Sequence, residues 1–233
     1  TLKQDTVIEA NRAYTAPAVG GVIDRSTWGE PVISIDKDSY NASLKHYNST
    51  SEDCNMDIYT AWDDNYFYLG VASRETDVCG SKDSWTGDGL QFHLYPAGTT
   101  KPTESFYFTL NEAADGVTAN GNNCAKYENG IVVENGIMYA TIAIPTADIG
   151  LTAPDLKDGT ALNFSILRIS GTAADAYAGW LDWGAFFGSK AENNPTSYYP
   201  NVVVLRDATL KQDTVIEANR AYTAPAVGGV IDR

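Results

Sequence analysis

The sequence predicts an all-β domain, built as a two-sheet antiparallel β-sandwich of jelly-roll-like type with few short helices. Short segments rich in β-branched and aromatic residues recur along the chain, turn-forming residues separate them, and no long segment favours a helix. In Tyr66–Val71, the residues Phe67, Leu69 and Val71 alternate onto one face. A later segment, Leu90–Leu94, repeats this alternation, and two packed antiparallel sheets would bury both rows.

Nine segments carry the strand pattern, at the spacing typical of a sandwich. The predicted strands are Met56–Trp62, Tyr66–Arg74, Gly89–Tyr95, Ser105–Leu110, Gly130–Glu134, Met138–Ile144, Leu162–Ser170, Trp180–Trp183 and Val202–Leu205. The links carry turn chemistry, and Asn135-Gly136 is a favoured pair for a tight hairpin.

The first 25 residues, Thr1–Arg25, recur without change at Thr209–Arg233. We interpret the chain as one 208-residue period of a tandem array followed by the opening of the next copy. An engineered duplication is the alternative. The predicted organisation is therefore an N-terminal strand or inter-repeat linker at 1–18, a sandwich domain at 19–208, and the start of the next identical repeat at 209–233.

Segment 1–17 alternates loosely and ends at Ala16-Pro17, which is compatible with an edge strand or with a linker. Its copy directly follows the predicted strand Val202–Leu205. A strand in this segment would pair either within its own domain or with a neighbouring one, and strand addition is a known means of assembly.

The charge balance excludes several partner classes. The chain has 16 basic and 30 acidic residues, a net charge of −14, which opposes binding to nucleic acid or to an anionic membrane. No run of 18 apolar residues occurs, so no membrane insertion is expected, and a targeting signal is expected outside this segment. The abundance of Asn, Thr, Ser, Gly and Tyr is typical of extracellular modules, secreted or at the cell surface.

No sequence motif for catalysis is present. The chain lacks G-x-S-x-G, a Walker loop, H-E-x-x-H and paired C-x-x-C, so we expect that it is not an enzyme. The carboxylate pairs Asp63 with Asp64 and Glu75 with Asp77 are better explained as turn residues than as a glycosidase pair, which needs a cleft between its two groups.

An antiparallel trace from Cys54 predicts which loops meet. We call the edge at Cys54 the lower edge and the edge at the Asp63 turn the upper edge. The trace brings to the lower edge three cysteines and two tryptophans, namely Cys54, Cys79, Cys124, Trp85 and Trp183. The cysteines permit one disulfide and one remaining thiol, which would be able to cross-link neighbouring copies.

The chain resembles the family 9 carbohydrate-binding modules and their DOMON-like sandwich relatives, here as a tandem repeat. The resemblance covers about residues 20 to 206, and it rests on segments in the family's order. They are Gly21–Asp24, Trp28, Ala61–Val71, Trp85–Phe92, Ala143–Pro145, Ile149–Leu151, Asn163–Arg168, Trp183, Asn194-Pro195 and Val203–Leu205.

The resemblance implies a terminal sugar held between Trp85 and Trp183, because the apolar face of a pyranose ring packs on an aromatic surface. It implies polar ligand-binding positions at Asp88, Asn163, Arg168 and Asn194. For Asp88 and Arg168, a turn-capping carboxylate and a buried ion pair are equally good explanations.

The sequence departs from the family pattern at Gln91 and Thr141, where many relatives carry glutamate, so an acidic network is in doubt. The resemblance requires no cofactor, although a structural calcium ion is common in such sandwiches. Oxygen ligands are available in Asp36-Lys37-Asp38 and Asp63-Asp64, but no segment has EF-hand spacing, and the metal-binding residues stay unassigned.

Two functions remain open at this point. The first is a non-catalytic extracellular carbohydrate-binding module in tandem copies, with a polysaccharide or glycan end as its partner. The second is a structural repeat of a cell-surface filament or adhesin stalk, in which neighbouring identical repeats are the partners and a strand docks between them. Identity between copies favours the second, because a fibre needs equivalent interfaces, and the two tryptophans favour the first.

Overall fold

The computed structural model describes residues 7–36, 38–39, 42–45, 55–82, 87–102, 104–117, 124–172, 176–184 and 200–208. Within them the regular secondary structure is almost entirely β-strand, with the one-turn helix α1 (Arg25–Trp28) and two short 3₁₀ helices, Thr146–Ile149 and Ala153–Asp155. The strands are β1 Val7–Arg12, β2 Ile33–Asp36, β3 Ala42–Lys45, β4 Asn55–Trp62, β5 Tyr66–Arg74, β6 Gly89–Pro96, β7 Phe106–Thr109, β8 Glu128–Glu134, β9 Ile137–Pro145, β10 Ala161–Thr172, β11 Ala176–Trp183 and β12 Asn201–Arg206.

These described strands pair as one continuous 12-stranded sheet, where two separate sheets were expected. Its main path runs β3-β11-β10-β12-β1-β4-β5-β9-β8, with β2 beside β4 and with β6 and β7 attached through β10. We call β3, β11, β10, β12, β6 and β7 the first half-sheet, and β2, β4, β5, β9 and β8 the second half-sheet. Along this path β1 is the strand that connects the two.

Strand β1 lies inside the sheet and is parallel to both of its neighbours. Segment 1–17 was expected to give an edge strand or a linker, and the edge position is wrong, because β1 pairs with β12 on one side and with β4 on the other. The row of Ile8 and Ala10 is buried while Val7 and Glu9 face solvent, so a short alternation is sufficient to orient an interior strand.

The inward rows of both half-sheets form one hydrophobic cluster, so the sheet curves around a single core. The second half-sheet contributes Ile58, Leu69 and Ile142, and the first contributes Phe92 and Phe164. Aromatic packing inside this core includes Phe92 with Phe164, whose ring centroids are 6.5 Å apart, edge to face.

Residues 13–28, which we call the strap, cover the outer face of the second half-sheet. The Ala13 amide donates to the Trp62 carbonyl over 2.7 Å, and the Gly20 amide donates to the Thr141 hydroxyl over 2.8 Å. Farther along the strap, Ile23 and Trp28 join a second cluster with residues of β4, β5 and β9. Asp24 caps α1 by accepting from the Ser26 amide over 2.8 Å.

Each of the nine predicted strands corresponds to an observed strand, with ends that differ by a few residues. The strands β2 and β3, each of four residues, were not predicted. Both are too short to show an alternating pattern above the background.

The predicted up-and-down trace is wrong after β7, because β7 ends at the lower edge and β8 begins near the upper edge. β7 descends to Thr109, opposite Gly89 at the lower edge, yet β8 begins at Glu128 opposite Ala143, near the upper end of β9. The strands from β8 to β11 therefore run opposite to the direction expected, and β11 ascends from the lower edge instead of descending to it.

Candidate functional site

Asp88 organises the lower edge. Its side chain is 0% exposed, and one carboxylate oxygen accepts from the Cys79 amide over 2.6 Å while the other accepts from the Gly171 amide over 2.9 Å. Its backbone amide donates to the Cys79 carbonyl, and its carbonyl accepts from the Leu110 amide, each over 2.8 Å. Asp88 thus joins β6, the ends of the loop before it, the end of β7 and the lower end of β10.

Arg168 and Glu75 form a fully buried ion pair beside Asp88. Arg168 belongs to the inward row of β10, and its guanidinium donates to the Glu75 carboxylate and to the Ser73 hydroxyl, the latter over 3.0 Å. Glu75 and Ser73 lie at the lower end of the second half-sheet. The pair therefore connects the two half-sheets across the bottom of the core.

The electrostatics of this cluster favour retention of a proton. Burial raises the pKa of Asp88 to about 7, and the negative charge of Glu75 acts in the same direction. The charge of Arg168 and the two amide donors lower the pKa and only partly offset this effect. Two carboxylates and one guanidinium share a space closed to solvent, which is the arrangement of a structural network.

Trp183 does not lie at the lower edge. It pairs with Ile166 in the middle of β10, it is 1% exposed, and its ring packs edge-on against Phe164 with centroids 6.0 Å apart. The predicted convergence with Trp85 at that edge fails because β11 runs opposite to the expected direction. A ring covered in this way has no open face on which to stack a sugar.

The remaining predicted contacts are not gathered at one place. Asn163 is half-buried on the outward row of β10, opposite Tyr95 and Val202 near the upper end, whereas Arg168 is on the inward row. Trp85 and Asn194 lie outside the described residues, so their roles stay predictions. Of the six, Asp88 and Arg168 are the two that the structure brings together.

The cysteines do not all share the lower edge either. Cys79 is there, hydrogen-bonded to Asp88, but Cys124 is part of the core and precedes Tyr127, which bonds to Asp148 at the upper edge. Burial raises the pKa of Cys124 to about 12. Cys54 lies outside the described residues, so the disulfide pairing stays a prediction.

The two loops considered for calcium use their oxygens locally. The Asp63 carboxylate accepts from the amides of Asn65 and Tyr66 and from the Tyr68 hydroxyl, over 2.7 to 2.8 Å. Asp64 pairs with Arg12 over 2.6 Å, and Asp36 accepts from the Asp38 amide. No group of three or more His, Cys, Asp or Glu residues within the described ranges is arranged to hold a metal ion, and a structural calcium ion stays a prediction.

A cleft of about 560 Å³ opens at the upper edge, between the ends of β6 and β9 and the start of β7. On one wall the Tyr127 hydroxyl donates to Asp148 over 2.7 Å, and the Lys126 ammonium lies 3.2 Å from the same carboxylate. These two partners lower the pKa of Asp148. Another wall is Phe106, which stacks on Phe92 with centroids 5.1 Å apart.

Sequence reasoning missed this cleft, because its residues come from separate segments and match no motif. A smaller cleft of about 310 Å³ lies on the outer face of β4, β5 and β9, between Arg25, Asp57 and Tyr139. Both clefts combine aromatic rings with polar groups, which is the composition of small-molecule sites in general.

The all-β fold of the described residues is one that solved carbohydrate-binding modules also have. In particular, the chain shares the fold of a family 9 carbohydrate-binding module from Caldicellulosiruptor kristjanssonii in complex with cellotriose, with a TM-score of 0.58 and 12% identity over 86% of this chain and 94% of that one. A family 9 module from the same organism in complex with glucose superposes with a TM-score of 0.53 and 10% identity, covering 85% and 96%. In sequence, the chain matches no known protein family and no curated protein.

Proposed function

We propose that this protein is a non-catalytic carbohydrate-binding module whose sugar site lies at the lower edge. The observation that carries the proposal is the hydrogen bonding of Asp88. Asp88 bonds to Cys79, so it ties together the two ends of the 79–88 segment, to which Trp85 belongs, and it also bonds to Gly171 of β10. The shared fold with two modules whose structures contain cellotriose and glucose supports the same ligand class.

Within this proposal the residues divide into contact and scaffold. Trp85 supplies the apolar surface for a pyranose ring, and Asn194 is a polar partner for its hydroxyls. Asp88, Arg168 and Glu75 are buried, so they hold the loops in place and do not touch the ligand. Trp183, with its ring inside the core, is not part of the contact surface.

Titration with a panel of soluble sugars that includes glucose and cello-oligosaccharides tests the proposal. Saturable binding, followed by tryptophan fluorescence and by calorimetry, is expected for the natural chain, and Trp85→Ala is expected to weaken it by roughly tenfold or more, because stacking contributes about 0.5–1.5 kcal/mol beyond the area that it buries. Tyr127→Ala, in the upper cleft, is the matched control and should bind normally.

The outcomes separate the site from the function. Loss of binding in Tyr127→Ala, with Trp85→Ala unaffected, moves the sugar site to the upper cleft and retains the function. Absence of binding to every sugar in the panel contradicts the proposed function itself.

We infer an extracellular location, secreted or at the cell surface, from the ligand class, since polysaccharides and glycans occur there. The composition supports this, with few lysines and many small polar and tyrosine residues. Among the described residues, no helix is long and apolar enough to cross a membrane. Fractionation of the source cells, followed by immunodetection, tests the location.

A second function, the linking of successive copies through a strand, is favoured by one specific observation. Strand β1 is held between β12 and β4, and the chain contains its sequence twice. A structural repeat of a filament or stalk and a sugar-binding module are compatible in one molecule, since the lower edge and the β1 position use different residues.

A further inference from the structure

The position of β1 is a defined slot in the sheet. β12 pairs with β1 from Val7↔Val202 to Asn11↔Arg206, and β4 pairs with its end at Asn11↔Ala61 and Arg12↔Trp62. On the described path of the sheet this strand is what joins the first half-sheet to the second. A domain without it would have two exposed strand edges facing each other.

Side chains make the slot specific in register. Ile8 and Ala10 enter the core, at 4% and 0% exposure. On the solvent side, Glu9 pairs with Arg206 over 2.7 Å. Arg12 pairs with Asp64 over 2.6 Å and stacks its guanidinium over the Trp62 ring at 5.0 Å. A slip of one residue would move the buried pair to solvent and separate these charges.

The same chain carries a second copy of the sequence that fills this slot. Residues 209–233 repeat residues 1–25, so Ile216, Glu217, Ala218 and Arg220 correspond to Ile8, Glu9, Ala10 and Arg12 of the first copy. The side chains with which residues 7–25 contact the rest of the domain are therefore encoded again after β12.

The second copy of the β1 sequence is joined to the described slot by a short link. β12 ends at Arg206 and the copy of the β1 sequence begins at Val215, so eight residues, 207–214, lie between them. Because the slot requires a strand parallel to β12, the chain would have to return along the whole of β12 before it enters. Parallel neighbours need a crossover of roughly a dozen residues or more, and this link is shorter.

We propose that the segment 215–220 takes the place of β1 in the slot of another copy of this chain, in the register of β1, and that this exchange links copies head to tail. This inference rests on the second proposed function and names its partner: a second copy of the chain, engaged between β12 and β4. The donor contributes a strand at one end of its sequence and the acceptor a slot elsewhere, so the contact is heterologous, and repetition of it produces open chains rather than closed dimers.

A set of aspartate substitutions in the full chain tests the proposal. Ile8→Asp disables the strand in cis, because a carboxylate is not tolerated in the core, and leaves the second strand intact. We expect this variant to form concentration-dependent oligomers in sedimentation and light scattering, with a melting temperature close to that of the natural chain. The double variant Ile8→Asp/Ile216→Asp should remain monomeric and melt roughly 10 °C lower.

Val7→Asp is the matched control, since Val7 is on the same strand but is 54% exposed. It should behave as the natural chain does. If Ile8→Asp does not fold by itself, the double variant is refolded together with tagged natural chain, which offers only its second strand. A one-to-one complex is then expected, and its absence overturns the proposal.

The other outcomes also decide. Oligomers that persist in the double variant show that copies associate through another surface. This outcome retains the linking function and refutes strand exchange at the β1 slot. A stable Ile8→Asp variant that is monomeric at every concentration shows closure in cis and refutes exchange between copies. If Ile8→Asp melts as low as the double variant and no variant associates, both the strand exchange and the linking function are contradicted. Sugar titration of the same samples tests the carbohydrate-binding function separately.

Discussion

His93 is a buried titratable side chain outside the lower-edge cluster. It lies on the outward row of β6, opposite Ser165 of β10, and is 1% exposed. Burial lowers the pKa of His93 to about 3, and the positive charge of Lys101 acts in the same direction. The imidazole is therefore neutral in the folded protein at all but strongly acidic pH.

This burial predicts loss of stability in acid. The unfolded chain has a histidine pKa near 6.5, so between about pH 6.5 and 3 the unfolded state binds one more proton at this position. The contribution is fully present above pH 6.5 and is lost as the pH falls, at about 1.4 kcal/mol per pH unit. From pH 7 to 4.5 the loss amounts to about 3 kcal/mol.

Urea unfolding of the natural chain and of His93→Gln at these two pH values checks the prediction. The variant should lose less stability over the interval by about that amount, while Asp88 titrates in both proteins and cancels in the comparison. An equal loss in the two proteins would show that His93 is protonated without cost.

The individual residues show where sequence reasoning was sufficient and where it was not. Burial of Asp88 and Arg168 in a capping and ion-pair network was one of the two explanations that the sequence allowed. The alternation that places Leu181 and Trp183 on the inward row, with Trp180 and Asp182 outward, was available in the sequence. The antiparallel trace and the resemblance to sugar-binding modules both placed Trp183 at the lower edge, and that position is wrong because β11 runs in the opposite direction.

At the scale of elements, the strap is held against the sheet by close backbone contact. A Cβ added to Gly130 of β8 would lie 2.6 Å from the Gly20 Cα, which is too close for any side chain. The strap and β8 therefore approach each other to a distance that only glycine allows.

Gly130→Ala is expected to destabilise the fold by about 1–3 kcal/mol, because backbone on both sides must move. Gly21→Ala is the control, since a Cβ there meets nothing within 4 Å. Denaturant unfolding measures the difference, and limited proteolysis should show faster cleavage within the strap of Gly130→Ala alone. Equal stability of the two variants would mean that the strap shifts freely.

The elements themselves were largely predictable, because long strands of alternating residues between turn-forming pairs leave little ambiguity. β5 was predicted to the residue, Tyr66–Arg74. What the pattern could not provide is the pairing partner of a strand. The parallel position of β1 depends on contacts with β12, nearly two hundred residues away, and a local pattern contains no such information.

At the scale of the whole molecule, two polar connections between the half-sheets stand out beside their shared hydrophobic core: β1 within the sheet, and the Arg168 and Glu75 pair across the core. A single substitution in this pair leaves a charge without its partner in the interior. Breaking such a pair typically costs about 3–5 kcal/mol, whereas replacing both members by apolar residues is often close to neutral.

We therefore expect Arg168→Met to destabilise the protein by about 3–5 kcal/mol, and the double variant Arg168→Met/Glu75→Met to recover a large part of this loss. A double-mutant cycle by urea unfolding, with Glu75→Met as the other single variant, is expected to give a coupling energy of about 3 kcal/mol or more, because the double variant should lose less than either single variant does. Additive effects would show that the pair does not connect the half-sheets energetically.

The global trace was the part of the fold least accessible to sequence reasoning. It assumed that consecutive strands are antiparallel, and the passage of the chain from the lower to the upper edge between Thr109 and Glu128 reversed the direction of the four strands from β8 to β11. A strand pattern does not indicate at which edge of the sheet the next strand begins. The consequence was large for the site, since it separated Trp183 from the lower edge.

The pairing of β1 with β12 also has a consequence in time. During synthesis β1 is the first strand of the domain to be made and β12 is the last, so the central connection of the sheet waits for nearly the whole period to be translated. At ribosomal rates this delay is roughly 10–40 s, far longer than a hairpin needs to form. If copies exchange this strand as proposed, each waiting strand would be exposed to the slots of neighbouring copies, and the order of synthesis would help decide which copies become joined.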